Sequence, residues 1–249
     1  MNNKLFDFEI KSHEETGIIE YTDLTDIDRA MAKFWSGVLD MMTVTDTVRQ
    51  ENREFVSFMK KPVNEKIYAG QFDDPYSFMR HVVATKPNFK TMLPCCYLSR
   101  DPSITYCDGT DYVDLIDFAT ITDKNGNDTA IVTKSFLKLN YTITSLCWDK
   151  STAGRLGLGI SMFLRRNKMK RPHVFKAKSM IAGTPVELHI EINQPALITG
   201  TPIDISFTEN RIVGHSFTFE VIAEVLEAKS INSTVGSVTV IEELKKVIV

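Results

Sequence analysis

The sequence predicts an α+β protein: an antiparallel, β-rich sheet system with an inserted helix packed on it and a helical or irregular N-terminal part. Apolar and polar residues alternate through residues 137–145, which is the period of a half-buried β-strand. Directly afterwards, apolar residues recur at helical spacing, at Leu156, Ile160, Phe163 and Leu164. Four further strand candidates follow, separated by turn-forming glycine and proline: residues 174–182, 186–192, 203–208 and 216–226.

The composition is that of a globular chain, with 249 residues of which 43% are hydrophobic and 24% charged. We expect one domain over residues 1–249. Its predicted parts are an N-terminal arm (1–24), a helical or irregular part (25–93), a β-rich core (94–228) and a C-terminal arm (229–249). The formal net charge of −3 excludes a globally basic nucleic-acid-binding protein and leaves room for a local basic patch.

No apolar run approaches the roughly 20 residues of a membrane span, and the N-terminus lacks the apolar segment of a signal peptide. The four cysteines are too few for a disulfide scaffold. Cys95 and Cys96 are adjacent, so in a strand they would lie on opposite faces. We therefore expect reduced thiols.

In the N-terminal part, residues 25–41 predict a helix capped by Thr25, with Ile27, Met31, Phe34, Val38 and Leu39 as its apolar stripe. Residues 43–48 suggest a strand, and residues 49–59 fit a strand or a helix. Residues 63–69 suggest a short strand, and a helix is expected from Pro75 to about residue 84.

In the β-rich part, residues 94–98 predict a short buried strand and residues 99–114 a loop rich in turn formers. An Asn-Gly step between residues 116–122 and 129–133 predicts a β-hairpin. In the closing strand we place Phe217, Phe219 and Val221 on the core face, with Thr218 and Glu220 outside. A last strand is expected at residues 235–241.

Two motif fragments fall short of their motifs. Gly154, Gly157 and Gly159 form the dinucleotide-binding glycine pattern in reverse order, and they either allow close packing or shorten the helix. His189 and Glu191 have the spacing of a deaminase dyad, but no cysteine pair follows. Because they alternate with apolar residues, we expect them on the solvated face of a strand.

A third fragment, Asp123-x-Asn125-x-Asn127, matches the first three ligand positions of a calcium loop. Its sixth position is Asp128 instead of glycine, and its twelfth is Lys134 instead of glutamate. A hairpin tip is therefore the expected structure. The sequence predicts no cofactor site, no metal site and no catalytic group.

One charged cluster is a candidate interface, at the predicted end of the inserted helix: Arg165, Arg166, Lys168, Lys170 and Arg171. It could be a solvated helix C-terminus, where cations complement the helix dipole. It could also contact a phosphate backbone as part of a nucleic-acid-binding segment, residues 165–178. Both interpretations stay open.

An enzyme is a further alternative, with a site assembled from scattered polar residues: His81, Asp101, Asp108, Asp111 and Asp114. Convergence of these side chains in one pocket would favour it. Their closeness in an aspartate-rich loop favours a plain loop.

The order of elements over residues 62–228 resembles that of structural proteins from the necks of tailed bacteriophages. The strand after Pro94 leads to SRDPSITY, a hairpin and LNYTITSLCW before the helix. PVELHIEI and the closing strand RIVGHSFTFEVIAEVLEA, introduced by Arg211, come after it. The chain is similar in this layout to tail-terminator, tail-completion and sheath-stabilising proteins.

The resemblance implies a non-enzymatic virion component, assembled in the host cytoplasm, that forms a ring and commonly a hexamer. Such a ring joins the tail tube or sheath to the head connector. The implied partners are other copies of the chain and the tail tube, sheath or connector proteins, with no membrane, no cofactor and DNA only in passing. Residues 1–60 and the glycines at 154–159 depart from the family layout, which leaves open a baseplate or other virion position.

Overall fold

The computed structural model describes residues 3–72, 74–85, 91–107, 109, 112–166, 173–207 and 210–242, with the backbone alone described at 3–11 and 233–242. In these residues the helices are α1 (Leu24–Asp40), α2 (Arg53–Lys60), α3 (Val63–Lys66), α4 (Pro75–Thr85) and α5 (Lys150–Leu164). The first strands are β1 (Asn3–Tyr21), β2 (Ile67–Ala69), β3 (Cys95–Arg100), β4 (Thr105–Tyr106) and β5 (Leu115–Thr122). The others are β6 (Asp128–Cys147), β7 (Val174–Ile181), β8 (Thr184–Ile192), β9 (Gly200–Phe207) and β10 (Asn210–Glu242).

Two long strands, β6 and β10, form the spine of one mostly antiparallel sheet. They pair without a break from Val213 opposite Cys147 to Ser230 opposite Ala130. Along its other edge β6 pairs with β3, β4 and β5 in turn, and β10 likewise pairs with β9, β8 and β1. Strand β7 pairs with β8, and β2 pairs with β3 in parallel. The predicted β-rich α+β fold is confirmed.

The main core lies between this sheet and α1, α2 and α5. The predicted alternation is confirmed, because Leu137, Leu139, Tyr141 and Ile143 are all buried. Trp35 of α1 is fully buried; its ring lies 6.2 Å from the ring of Phe163 on α5 and 5.5 Å from that of Phe219 on β10. The inserted helix therefore packs on the sheet as expected.

A smaller core lies on the opposite face of the sheet, under α4. Phe78 of α4 stacks on Tyr97 with ring centroids 4.6 Å apart. Cys95 belongs to this core and Cys96 to the main one, so the prediction that they lie on opposite faces is confirmed. None of the four cysteines is joined in a disulfide among the residues that the structure describes, as expected.

Three local predictions in the N-terminal part need correction. Asp23 caps α1 instead of Thr25, since its carboxylate accepts the Thr25 N–H at 2.8 Å. The strand at 43–48 is wrong, because Asp46 accepts the N–H groups of Val48 and Arg49 and forms a turn. Of the strand at 63–69, only β2 exists, and α3 takes the first four residues.

Two of the three glycines of α5 serve close packing, and none shortens the helix, which runs through all three. A Cβ at Gly157 would lie 2.7 Å from the ring of His215, and one at Gly159 would lie 2.8 Å from the side chain of Met42. Gly154 faces open space. Gly157 and Gly159 thus let the helix approach β10 and the end of α1.

The predicted hairpin joins β5 to β6, and its tip explains the calcium-like pattern. One carboxylate oxygen of Asp123 accepts the backbone N–H groups of Asn125 and Asn127, each at 2.8 Å. The hydrogen bond from the Asn127 N–H, with smaller contributions from Asn125, lowers the pKa of Asp123. Gly126 takes the positive φ of 85° that the turn requires. The residues of the calcium-like pattern thus hydrogen-bond to one another and stabilise the hairpin tip.

The two predicted arms contain strands that pair with each other. β1 runs antiparallel to the C-terminal half of β10, from Tyr21 opposite Glu227 to Asn3 opposite Glu242. The strand expected at residues 235–241 is therefore a continuation of β10. Beyond Ser230 no third strand pairs with β10 in the described part of the chain. We call residues 3–15 and 231–242 the terminal ribbon.

Candidate interaction surfaces

The candidate interface lies where α5 ends. Asp149 caps the start of the helix by accepting the Thr152 N–H at 3.0 Å, and the helix ends at Arg165. Arg165 and Arg166 are exposed, and neither guanidinium is paired with a carboxylate in the described residues. The other members of the predicted cluster, Lys168, Lys170 and Arg171, lie outside the described residues. Among the described residues, this end of the fold thus carries two exposed arginines without a carboxylate partner.

His173, at the start of β7, fixes the position of that helix end. The imidazole Nε2 lies 3.1 Å from the carbonyl oxygen of Phe163, an acceptor in the last turn of α5. Only 7% of the His173 surface is exposed, and its ring packs edge-on against that of Phe163. Burial lowers the pKa of His173, opposed by the hydrogen bond to Phe163 and by the charge of Glu191.

This burial predicts an acid-sensitive contribution to stability. The unfolded chain takes up a proton at the ordinary His173 pKa of 6.5, whereas the folded chain does so only at lower pH. The free energy of unfolding, measured against a His173→Gln variant, should be constant above pH 6.5 and should fall as the pH drops below that value. Urea titrations of both proteins from pH 8 to pH 5 would test this. A difference that is independent of pH would contradict it.

An apolar groove of about 320 Å³ lies between the C-terminal end of α1, α2 and α5, and Arg166 is part of its lining. We call it the methionine groove. Its most exposed apolar residues are Met41, Leu158 and Met162, at 59%, 64% and 59% exposure. Arg155 and Arg166 line its polar side, and none of the described residues in its lining is acidic. The Nε of Arg155 is buried without a hydrogen-bond partner.

The sequence analysis missed this groove, although one signal was present. Arg155, Leu158, Met162 and Arg166 recur at three- and four-residue spacing and so define one stripe of α5. The stripe lies away from the buried stripe that predicted the helix. Met41 could not be assigned to it from sequence, because α1 and α5 are more than a hundred residues apart.

The terminal ribbon is the second surface. Direct partners across an antiparallel pair share a face, and successive residues of a strand alternate between faces. Phe6 pairs with Val240 and Phe8 with Val238, so apolar residues come together on one face. On the other face the pairs are Asp7 with Thr239 and Glu9 with Ser237. Over residues 6–9 and 237–240, the register therefore places apolar residues on one face and polar residues on the other.

A third feature is a pocket of about 430 Å³ between α1 and β3 that contains a charged network. Asp28 accepts two hydrogen bonds at the same oxygen, from the Tyr141 hydroxyl at 2.6 Å and from the Arg100 Nε at 2.9 Å. Burial, followed by the contact with Asp28, raises the pKa of Tyr141 well above its usual range. Tyr141 stays protonated and ties α1 to the sheet through Asp28.

The polar residues of the enzyme alternative are placed as follows. Asp101 accepts the Ser103 N–H at 2.8 Å in the loop after β3 and lines a pocket of about 420 Å³ with Asp74. His81 and Asp114 are exposed, on α4 and before β5. Asp108 and Asp111 lie outside the described residues. Among the residues that are described, no three His, Cys, Asp or Glu side chains are grouped to hold a metal ion.

Three sequence predictions concerned other surfaces. His189 is exposed and Glu191 half-buried on β8, so the prediction of a solvated face is confirmed. Arg211, which introduces the closing strand, forms an ion pair with Asp204 on β9 through two hydrogen bonds. No helix in the described ranges is long and apolar enough to cross a membrane.

The fold and its surfaces thus define a β-rich α+β protein with a two-stranded terminal ribbon and an apolar groove lined in part by two arginines. No protein-family model matches the chain, and no curated protein matches its sequence.

Proposed function

We propose that this chain is a structural component of a phage virion that forms a ring at the neck or tail end. In that position it would serve as a tail terminator or tail-completion protein, joining the tail tube or sheath to the head connector. The single observation that carries the proposal is the terminal ribbon. The layout of residues 62–228, which resembles that of tailed-phage neck proteins, supports the proposed position at the neck or tail end.

The ribbon supports assembly because two strands alone are marginally stable in water. Beyond Ser230 it has no third strand among the described elements, and its register puts apolar residues on one face. A surface of this kind gains stability when another protein covers it. Identical copies that each cover their neighbour's ribbon form a closed ring when the rotation between them closes.

Native mass spectrometry and negative-stain electron microscopy of the purified chain test the ring. We expect one closed oligomer whose mass is a whole multiple of 28.2 kDa, with a hexamer as the resemblance implies. The virion role is tested by a stop codon in the phage gene, which should leave heads and tails unjoined. A chain that is monomeric at its highest soluble concentration, alone and with tail tubes, would contradict the ring.

The unpaired Arg165 and Arg166 favour a second candidate, a nucleic-acid-binding accessory protein. Two cations contribute little to affinity by themselves, because each phosphate contact adds a modest, salt-dependent increment. Retention of the purified protein on immobilised DNA, measured over a range of salt concentrations, separates this function from the ring. Salt-dependent retention that is lost when both arginines are changed to glutamate would favour the nucleic-acid function.

A further inference from the structure

We infer that Asn125, at the tip of the β5–β6 hairpin, is a site of spontaneous deamidation, and that Asp123 restrains the reaction in the folded chain. The reaction consumes water, and its products are aspartate and isoaspartate at position 125. The inference concerns the covalent chemistry of this hairpin, so it does not depend on the proposed function.

The sequence supplies the reacting groups. Asn125 precedes Gly126, and this is the one Asn-Gly step in the chain. The main-chain nitrogen of Gly126 gives up its proton and attacks the side-chain amide carbon Cγ of Asn125. A new N–Cγ bond forms and the Cγ–Nδ2 bond breaks. Nδ2 leaves as ammonia with the proton that Gly126 gave up, relayed through solvent, and a five-membered succinimide ring remains in the main chain.

Water completes the reaction without any oxidation or reduction. Hydrolysis of the new N–Cγ bond gives aspartate at position 125. Hydrolysis of the bond between the Gly126 nitrogen and the Asn125 main-chain carbonyl carbon gives isoaspartate, in which the main chain runs through the side-chain methylene. Asparagine is among the thermally labile residues of proteins. Either product replaces a neutral amide with a carboxylate.

The folded chain presents both reacting residues to solvent. Asn125 and Gly126 are exposed. A Cβ built at Gly126 would meet nothing within 4 Å apart from the adjoining residues, so neighbouring side chains leave room for ring closure. Gly126 itself has no side chain that would crowd the ring. The tip is therefore sterically open to the reaction.

Asp123 holds the reacting groups through hydrogen bonds. Its carbonyl oxygen accepts the N–H of Gly126, the attacking group, at 3.1 Å. One oxygen of its carboxylate accepts the Asn125 N–H at 2.8 Å, and the other lies 3.4 Å from the Asn125 side-chain Nδ2. Asn127 donates two further hydrogen bonds to the same carboxylate, at 2.8 Å and 3.2 Å. The main chain is thereby held on both sides of Gly126.

These contacts oppose ring closure in the folded state. The N–H proton that Gly126 has to lose is engaged with Asp123, and a nearby carboxylate disfavours the negative charge left on the nitrogen. The pKa of Asp123 lies below its ordinary value, chiefly because of the hydrogen bond from the Asn127 N–H, so this charge is present at neutral pH. Rotation of the Asn125 side chain toward Gly126 also breaks its contact with Asp123. We therefore expect Asn125 to react more slowly in the folded chain than in the same sequence unfolded.

The reaction acts beside a contact between the hairpin and the N-terminal strand. Asp128 follows the tip, is 8% exposed, and has its Oδ2 3.2 Å from the Nε2 of His13 on β1. Isoaspartate adds a methylene to the main chain of the tip, and the new carboxylate meets that of Asp123 where an amide donor had been. Since like charges at this distance repel each other, we expect the tip to open and the contact between Asp128 and His13 to loosen.

Peptide mapping by mass spectrometry measures the reaction. The folded wild type, a folded Asp123→Ala variant and a synthetic peptide of residues 119–131 are incubated in the same mildly alkaline buffer, and labelling by an isoaspartyl methyltransferase identifies the isoaspartate. We expect first-order conversion of Asn125 in all three. The rate constant should be at least about fivefold higher in Asp123→Ala and in the peptide than in the folded wild type, as the loss of one net hydrogen bond implies.

Two matched variants separate the role of Asp123 from general loosening of the hairpin. Thr129→Ala removes a hydroxyl that donates to the Ile121 carbonyl oxygen at 3.1 Å and leaves the Asp123 contacts in place, so its rate should equal that of wild type. Asp123→Asn keeps an acceptor for the N–H groups and removes the charge, so its rate should lie between those of wild type and Asp123→Ala. A Thr129→Ala rate as high as that of Asp123→Ala would overturn the role of Asp123.

Two other results would overturn the inference. Equal rate constants for Asn125 in the folded wild type and in the peptide would show that the fold exerts no restraint. An Asn125 that stays intact in folded Asp123→Ala, while another asparagine such as Asn232 converts, would place the labile site elsewhere in the chain.

The effect on β1 has its own measurement. Ion-exchange chromatography separates the deamidated protein, which carries an additional negative charge, from the intact protein. Amide hydrogen exchange at residues 12–15 is then compared between the two fractions. We expect faster exchange in the deamidated fraction, because the contact between Asp128 and His13 is weakened. Identical exchange in both fractions would overturn this effect.

Discussion

Gly214→Ala is expected to prevent stable folding of the chain. A Cβ at position 214 would lie 1.8 Å from the carbonyl oxygen of Ser145 and 2.8 Å from its carbonyl carbon. Both atoms belong to the backbone of β6, which pairs with β10 at this point, so no side-chain rotation can relieve the overlap. The two spine strands would have to separate, and we expect a loss of more than about 4 kcal/mol in the free energy of unfolding. Urea denaturation followed by circular dichroism measures it.

Gly154→Ala is the matched control. Gly154 is an exposed residue within α5, and a Cβ there meets nothing within 4 Å. Alanine favours a helix interior over glycine by up to about 1 kcal/mol, so this variant should be slightly more stable than wild type. If both glycine variants behaved alike, the close approach of β10 to β6 at Ser145 would be contradicted.

The sheet could be predicted where its strands have one buried face. Residues such as Leu139 and Ile143 alternate with polar neighbours, and the period of two fixes which side faces the core. The hairpin at Gly126 could also be predicted from sequence, because its turn residues are adjacent in the chain. Local patterns of this kind need no knowledge of distant partners.

Two of the three local failures have a common cause in side-chain hydrogen bonds to the backbone. Thr25 and Asp23 are both acceptable helix caps, and only the geometry of the chain entering α1 decides for Asp23. Residues 43–48 have the composition of a strand, yet the Asp46 carboxylate holds two backbone N–H groups in a turn. Without that bond, composition alone favours extended structure.

The candidate surfaces depended on contacts between distant segments. The charge of Arg165 and Arg166 was evident from sequence, but the groove that Arg166 lines also needs Met41, which follows α1 more than a hundred residues earlier. The ribbon pairs Phe8 with Val238, which no local pattern specifies. The alternation of apolar and polar residues within each arm predicts one strand in each. The pairing of these two strands depends on the position of β10 in the sheet, which the alternation does not specify.

Phe219→Ala should cost about 3–5 kcal/mol of unfolding free energy. Phe219 is 3% exposed, with its ring centroid 5.5 Å from that of Trp35 on α1 and 6.2 Å from that of Tyr141 on β6. Truncation leaves a cavity between α1 and the spine of the sheet, and these large neighbouring rings can fill it only in part. Guanidinium denaturation of both proteins in the same oligomeric state measures the loss.

Thr218→Ala, one residue earlier in β10, tests the register of the same strand. Thr218 is exposed, and its hydroxyl lies 3.0 Å from that of Thr142 on the outer face of the spine. Since solvent can replace that hydrogen bond, the free energy of unfolding should change by less than about 0.5 kcal/mol. A one-residue slip of the strand would exchange the two positions, so Thr218→Ala would then be the costly change. Equal tolerance of both substitutions would remove Phe219 from the core altogether.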